Sequence, residues 1–583
     1  MKLKAPNRNH FWASLIVEEL VRGGCTAFFA SPGSRSTPLV TAAFRHPSAD
    51  VHMHFDERGS AFMALGFGKA TSKPATWITT SGTALANGYP AIVEGAMEGV
   101  PMILLTADRP PELRDTDANQ TIRQDHLFGQ YVEWFVDLPV PTDDIDPTFV
   151  LSTVDQAVHR SIHGPVHLNC MFREPLAPSE EPYSPKQSVR FEQWEQSTQP
   201  FTMYSSDGAT PIATLKNIER LLAQAKRPML VLGRLSGQGS IIQSAAEHLA
   251  QAFGGIFVSD ISSQSRLGLT AVHGIAHIDA LLFGDTDADL QPDLILQFGA
   301  TSVSKRLGTF LNELPSAHYV VIDDRLRRID SGHRVAVRVE ANPVHVLTRL
   351  SERSAAGSTS SDWQRRWIAL GELSSDWLSE ETCARGVTEQ AVSYLLSRAL
   401  KENTALTVGS SNSIRHMDMC ADPTGLNVPV LTNRGASGID GTLASGVGFS
   451  IGHGARPVIL LGDLTLLHDL NSLALCSTAR AIVIVVNNDG GGIFSYLPIR
   501  AHSDVFESAF ATPHGFQFED AASLFRLRYA NPEAINDLEL ALEAAFQSAE
   551  GIIIEVNTNR DDNLEEVRRL CRNLSERIQS AAN

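Results

Sequence analysis

Two stretches towards the carboxyl end decide the fold: VILLGDL at 458–464 and IVIVVNNDG at 482–490. Each is a short, nearly continuous apolar run that stops at polar residues, Asp463 in the first and Asn487-Asn488 in the second. A run that is apolar at every position buries both of its faces. That is the mark of a strand in a parallel sheet covered by helices on both sides. The same unit recurs along the chain. Runs at Thr26–Ala30, Val51–Phe55, Thr76–Thr80, Met102–Thr106 and Val166–Asn169 occupy the first third. Met229–Leu232, Ile256–Ser259, Leu294–Phe298 and Tyr319–Ile322 occupy the middle, and Ala405–Val408, Val428–Leu431, Val458–Leu461, Ile482–Val486 and Ile552–Val556 the last third. Helix-length amphipathic segments separate them, so the expected fold class is α/β, with three doubly wound parallel sheets.

Two polar stretches read as linkers. Arg173 to Ser206 carries Pro175, Pro178, Pro182, Pro185 and Pro200, and Ser351 to Asp362 is small and polar. They divide the chain into expected domains at 1–185, 206–352 and 363–583. The 583 residues are enough for three or four such cores, and 43% hydrophobic with 20% charged residues is ordinary globular composition. A formal charge of −18 argues against nucleic acid as a partner. No apolar run is long enough for an integral membrane segment, and Trp12–Leu20, which holds Glu18 and Glu19, reads as an amphipathic helix rather than a signal peptide. The six scattered cysteines form no CxxC pair and suit a cytoplasmic protein. His273 and His277 have a metal-compatible spacing without an evident third ligand, and are expected to be ordinary histidines.

The first and last thirds share a layout. Strand ends fall at Asp56-Glu57-Arg58, Thr80-Ser81-Gly82 and Asp108-Arg109 in one, and at Asn433-Arg434-Gly435, Gly462-Asp463 and Asn487-Asn488 in the other. The polar residues lie just past the carboxyl ends of strands, where open α/β sheets bind ligands. A carboxylate at Asp463 and an amide oxygen at Asn488, on neighbouring strand ends, suit a hard cation such as Mg²⁺ that keeps sites open for phosphate and water. The Gly490 carbonyl is a candidate third ligand. Five arginines also sit in strand-end turns: Arg35, Arg109, Arg306, Arg415 and Arg434. Their planar forks suit the fixing of several carboxylates.

Gly462-Asp463…Asn487-Asn488 resembles the metal-diphosphate signature of the thiamine diphosphate-dependent enzyme superfamily, although Leu464 stands where Gly is usual. Further motifs resemble one branch in which Leu is normal, the 2-succinyl-5-enolpyruvyl-6-hydroxy-3-cyclohexene-1-carboxylate synthase family. They are Ser31-Pro-Gly-Ser-Arg-Ser-Thr-Pro-Leu39, His54-Phe-Asp-Glu-Arg-Gly59, Thr80-Ser-Gly-Thr83, Leu105-Thr-Ala-Asp-Arg-Pro-Pro-Glu-Leu113, Asn433-Arg-Gly-Ala-Ser-Gly-Ile-Asp-Gly441, Gly462-Asp-Leu-Thr465 and His468-Asp-Leu-Asn471. The likeness runs from Asn7 to about Phe518; in the middle third Ser304-Lys305-Arg306 is its clearest match.

The resemblance implies three domains of the thiamine diphosphate enzyme type. It implies thiamine diphosphate with Mg²⁺, or Mn²⁺ in its place, and decarboxylation of 2-oxoglutarate with 1,4-addition to isochorismate in menaquinone or phylloquinone biosynthesis. Glu57 is then the catalytic acid at the cofactor's aminopyrimidine. Ser411, Gly435, Ser437, Ile439, Gly462, Asp463, Asn488 and Ile493 hold the cofactor, and Asp463, Asn488 and Gly490 the metal. Arg415 and Arg434 serve the 2-oxoglutarate-derived part. Ser34, Arg35, Arg109, Asn119, Gln120 and Arg306 serve isochorismate, Lys305 is a further substrate-binding residue, and Phe494 lines the substrate pocket. A homodimer or homotetramer with active sites between chains is implied as well. A simpler thiamine enzyme, a 2-oxoacid decarboxylase or acetohydroxyacid synthase, and a non-catalytic nucleotide-binding or regulatory subunit on the same scaffold stay open as alternatives. Nothing between Thr210 and Asn342 marks a flavin, nucleotide or regulatory ligand.

Overall fold

The computed structural model describes residues 4–582 apart from 187, 206–209, 285–286, 326 and 355–360. It separates into two compact units. The first runs through residue 206 and also takes in 433–454 and 468–475; the second takes the remainder.

The first unit is built on one parallel sheet: β1 Ala27–Ala30, β2 Asp50–Met53, β3 Ala75–Thr79, β4 Met102–Asp108, β5 Trp134–Leu138 and β6 Pro165–Met171. The order across the sheet is β2-β1-β3-β4-β6-β5. β1, β3, β4 and β6 are buried at every position, which is why they read as largely apolar runs, although β6 also buries His167 and Asn169. The Arg8–Arg22 helix lays Phe11, Trp12, Leu15, Ile16 and Leu20 against them.

The Glu57–Thr71 helix, rich in Gly and Ala, begins at an Asp56 cap whose Oδ1 accepts from Arg58 N at 2.9 Å. Its small residues admit the Thr442–His453 helix at backbone distance. A Cβ on Gly66 would sit 2.0 Å from Ser445 O, and one on Gly448 would sit 2.0 Å from Met63 O.

The second unit holds two parallel sheets. One comprises β7 Pro228–Leu232, β8 Ile256–Ser259, β9 Gly274–Ile275, β10 Leu294–Phe298, β11 His318–Ile322 and β12 Val337–Val339, ordered β12-β11-β10-β7-β8-β9. The other comprises β13 Thr404–Val408, β14 Val430–Leu431, β15 Arg456–Gly462, β16 Ile482–Asn487, β17 Arg528–Ala530 and β18 Ile552–Asn557, ordered β14-β13-β15-β16-β18-β17. Counting strands from the start of each sheet, this last order repeats that of the first unit, so the shared layout extends to topology. The middle sheet is wound differently. All three are doubly wound α/β sheets, as expected. No helix among the described residues is long and apolar enough to cross a membrane.

The structure corrects one expectation. Arg173–Ser206 is not simply a linker, because Val189–Gln196 is helical and buries Phe191 and Trp194 in the core of the first unit. Ser206, and residues 355–360 of the second expected linker, lie outside the described residues. The fastening centres on Glu19, which is fully buried: Oε2 accepts from Trp194 Nε1 at 2.6 Å and Oε1 from Phe201 N at 2.5 Å. Beside it, Asp155 Oδ2 accepts from Thr202 N at 2.6 Å.

Burial, reinforced by the hydrogen bond to Asp155, pushes the Glu19 carboxyl up to about 8. The folded chain therefore keeps a proton that the unfolded carboxylate has already lost. Its stabilising contribution is complete below about pH 4.5 and is lost as pH rises through about 8. Urea midpoints at pH 6 and pH 9 should show this loss in the wild type, and Glu19→Gln should narrow the difference between the two.

Candidate active site

In the first unit, the carboxyl ends of neighbouring strands bring the predicted anion-binding residues together. Gly33, in the turn after β1, packs so tightly on the turn after β3 that a Cβ there would lie 2.3 Å from Thr80 Cβ. Arg35 is buried; Nη1 donates to Phe172 O at 2.8 Å and Nη2 lies 3.3 Å from Glu174 Oε1. Arg109, at the end of β4, donates through Nη1 to Gln120 O at 2.7 Å and to Ser81 Oγ. Gln120 returns a bond from Nε2 to Ser81 O at 2.9 Å. Burial and then the nearby Arg35 charge hold the Arg109 pKa below its usual value.

Adjacent Asp108 offsets this pair's charge only in part. Its Oδ1 accepts from Arg109 N, while Oδ2 is taken by Arg114 Nη2 at 2.7 Å and Asn169 Nδ2 at 3.0 Å. Two crowded guanidiniums, with the side chain of Glu174 71% exposed as their carboxylate neighbour, are suited to a multiply charged anion. Ser34, Asn119 and Gln120 are exposed around them.

Glu57 is the first residue of its helix and is half-buried. The helix start is fixed on both sides of it. Asp56 Oδ2 accepts from Asn471 Nδ2 at 3.1 Å, and Arg58 Nη2 donates to His468 O at 2.9 Å. The 433–441 loop belongs to this unit and is held by a buried cluster that sequence reading missed. Lys69 Nζ lies 3.1 Å from Glu94 Oε1, 3.0 Å from Glu98 Oε2 and 2.9 Å from Asn433 Oδ1. Glu98 accepts from Arg434 N at 2.9 Å, and Glu94 from Gly435 N at 2.9 Å and Ala436 N at 2.6 Å. Thus the backbone at Arg434 and Gly435 is pinned, while Ser437 (φ +60°) is exposed and Ile439 half-buried beyond it. The readable signal was Glu94 and Glu98 four apart on an otherwise apolar helix.

In the second unit β13, β15 and β16 are neighbours, so the residues following them share one edge. Asp463, after Gly462 at the end of β15, is buried. Its Oδ1 accepts from Leu464 N at 2.6 Å, and Oδ2 accepts from Asn488 N at 3.1 Å and Gly490 N at 2.9 Å. His514 Nε2 lies 3.2 Å from the same Oδ2. Burial raises the Asp463 pKa against these bonds.

Asn488 donates from Nδ2 to Glu389 Oε1 at 2.8 Å, while its own Oδ1 is buried without a hydrogen-bond partner. Gly490 takes φ +126°, where a Cβ would strike Ala511 O at 2.0 Å. After β13, Ser411 holds φ +72° ahead of the Asn412–Cys420 helix, and Asn412 Nδ2 is also buried and unpartnered. A carboxylate, a spare amide oxygen and backbone carbonyls fit a hard divalent cation, and a helix start with a spare donor fits a diphosphate. Among the described residues no group of three or more His, Cys, Asp or Glu forms a metal cage, so such a cation would rely on these oxygens and on its ligand's phosphates.

The same unit contains a cavity of about 1020 Å³ lined by Lys305, Arg306, Arg415, His416, Ile493 and Tyr496, among others. Arg306 pairs with Asp279 and stacks over Phe283 at 5.0 Å; Arg415 donates to Ser411 O. Phe494 instead packs edge-on against Phe510, with ring centres 5.7 Å apart. His273 and His277 take separate partners, Glu247 Oε1 at 2.8 Å and Met419 O at 2.8 Å.

Two family models match. Residues 12–127 match "Thiamine pyrophosphate enzyme, N-terminal TPP binding domain", and residues 186–408 match "Middle domain of thiamine pyrophosphate". Curated relatives extend the likeness to almost the whole chain. A protein of Rubrobacter xylanophilus is 44% identical over 98% of this chain and 99% of its own length. One of Salinibacter ruber is 42% identical over 96% of each, and one of Chlorobium phaeobacteroides 39% identical over 97% of each. All three are named 2-succinyl-5-enolpyruvyl-6-hydroxy-3-cyclohexene-1-carboxylate synthase.

Proposed function

Given that the chain belongs to the 2-succinyl-5-enolpyruvyl-6-hydroxy-3-cyclohexene-1-carboxylate synthase family, we propose a division of labour among its strand-end residues for that family's reaction. The enzyme is a thiamine diphosphate-dependent transferase. It decarboxylates 2-oxoglutarate and adds the four-carbon remainder in 1,4 fashion to isochorismate, a step of menaquinone or phylloquinone biosynthesis. Thiamine diphosphate, when bound, supplies the electron sink for CO₂ loss and the carbon nucleophile for the addition.

Glu57 holds a proton at N1′ of the aminopyrimidine, from a helix start that Asp56, Asn471 and the Arg58–His468 bond keep in place. Asp463, Asn488 and the Gly490 carbonyl hold Mg²⁺, or Mn²⁺ in its place. Ser411 and the start of its helix receive the diphosphate, with Gly435, Ser437, Ile439, Gly462 and Ile493 completing the cofactor's surroundings. Arg35 and Arg109, with Ser34, Asn119 and Gln120, bind carboxylates of isochorismate, and Lys305 and Arg306 contribute to the same substrate. Arg415 and Arg434 fix the 2-oxoglutarate-derived carboxylates, and Phe494 borders the substrate space. Working assemblies are homodimers or homotetramers in the cytoplasm, with active sites completed between chains.

The observation that carries the reading is the pairing of Asp463 with Asn488 at adjacent strand ends, Asn488 Oδ1 being buried and unpartnered. The test is a two-substrate assay with thiamine diphosphate and Mg²⁺. Isochorismate should disappear only when 2-oxoglutarate is present. Release of CO₂ at an unchanged rate without isochorismate, or no consumption of isochorismate at all, would sink it.

A further inference from the structure

Asn488 can present either end of its amide to a metal, and only one end is useful. An oxygen ligates a hard cation, whereas an NH₂ group repels it. At ordinary packing the two orientations have nearly the same shape, so a neighbour must choose between them. Here the neighbour is Glu389, the first residue of the Glu389–Ala399 helix, with its side chain only 3% exposed. Its Oε1 accepts from Asn488 Nδ2 at 2.8 Å. Turning the amide over would set Asn488 Oδ1 against that carboxylate oxygen and leave buried groups unsatisfied.

Glu389 is itself held from the other side, where Oε2 lies 3.3 Å from His416 Nδ1. The backbone of Asn488 is tied separately, through its N–H to Asp463 Oδ2 at 3.1 Å. Gly492 closes the remaining side, since a Cβ there would come within 2.6 Å of Asn488 Nδ2. The unpartnered Oδ1 is what this arrangement leaves over.

We propose that Glu389 is a positioning residue for the metal site: by engaging Asn488 Nδ2 it keeps Asn488 Oδ1 turned to the cation. The proposal rests on the reading of Asn488 as a metal ligand. Its effect runs through the orientation of one amide, not through the Glu389 charge. A shorter carboxylate, which keeps the charge but not the reach, should therefore fail to replace it.

The test is Mn²⁺ binding to the full-length protein saturated with thiamine diphosphate, followed by electron paramagnetic resonance. Thermal melting checks that each variant is folded. Glu389→Leu should raise the Mn²⁺ Kd by about 10–100-fold, the usual effect of losing an outer-shell partner. Glu389→Asp keeps the charge but withdraws the acceptor by one methylene, and should weaken binding by about 10-fold. Leu and Asp variants that bind Mn²⁺ like the wild type, while Asn488→Leu does not, would overturn the proposal. If Asn488→Leu itself binds like the wild type, the ligand reading fails instead, and the two failures are told apart.

Discussion

Glu57→Gln is expected to lower kcat by about 10²–10⁴-fold, the range for removing one proton-transferring group. Thiamine diphosphate should still bind, because Glu57 contributes one hydrogen bond among many. A Gln in its place remains a first-turn helix residue, and the bonds that fix this turn come from Asp56 and Arg58 rather than from the Glu57 side chain. The loss should therefore fall on kcat, with the cofactor Kd changed by no more than about threefold. Calorimetric titration beside the two-substrate assay separates these quantities. A variant that loses cofactor binding and activity together would mark Glu57 as a structural residue.

Asp463→Asn should be at least as damaging, but through binding. Both carboxylate oxygens accept backbone N–H groups: Oδ1 from Leu464, and Oδ2 from Asn488 and Gly490. An amide cannot satisfy both sides, since whichever way it turns its NH₂ faces a donor. The substitution removes a negative charge from the cation and loosens the turn that presents Asn488 and Gly490. Affinity for Mg²⁺ with thiamine diphosphate should fall by more than about 100-fold, beyond what an outer-shell partner commands. Calorimetry showing wild-type affinity would remove Asp463 from the metal site.

The same two variants report on assembly. If each site takes Glu57 from one chain and Asp463 from its partner, chains of the two inactive variants mixed by co-refolding should recover about a quarter of the wild-type sites. If both groups come from one chain, the mixture stays inactive.

Much of the fold is legible in the sequence, for a physical reason. Strands buried on both faces are mostly apolar, so β4, β10, β15 and β16 stand out in the sequence. Polar residues end these runs, and Asp463 and Asn488 among them are buried and tied by hydrogen bonds at the strand ends. That contrast exposed Glu57, Asp463, Asn488 and the strand-end arginines together. The strands that escaped notice are β5, β9, β12 and β17, and every one lies at the edge of its sheet. Edge strands are half-exposed: Trp134–Leu138 is largely so, and Arg338 and Arg528 interrupt two of the others. They carry no unbroken apolar signal.

Side chains whose role depends on a distant partner were equally silent. Glu389 acquires meaning only beside Asn488, and Glu19 only beside Trp194 and Phe201. The prolines of Arg173–Ser206 mark the stretch as a linker, yet Val189–Gln196 falls in a proline-free interval and docks through two aromatic residues.

The close packing of the Glu57–Thr71 helix on the Thr442–His453 helix sets a timetable for synthesis. During translation the first of these leaves the ribosome long before the second exists. At about 5–20 residues per second, the glycine-lined groove at Gly66 waits roughly 20–80 s for the segment that fills it. The amino-terminal unit therefore cannot mature vectorially, domain after domain, but stays open until a late segment arrives. Nascent chains stalled before residue 433 should be protease-sensitive around this helix and should recruit chaperones, and chains released after residue 475 should not.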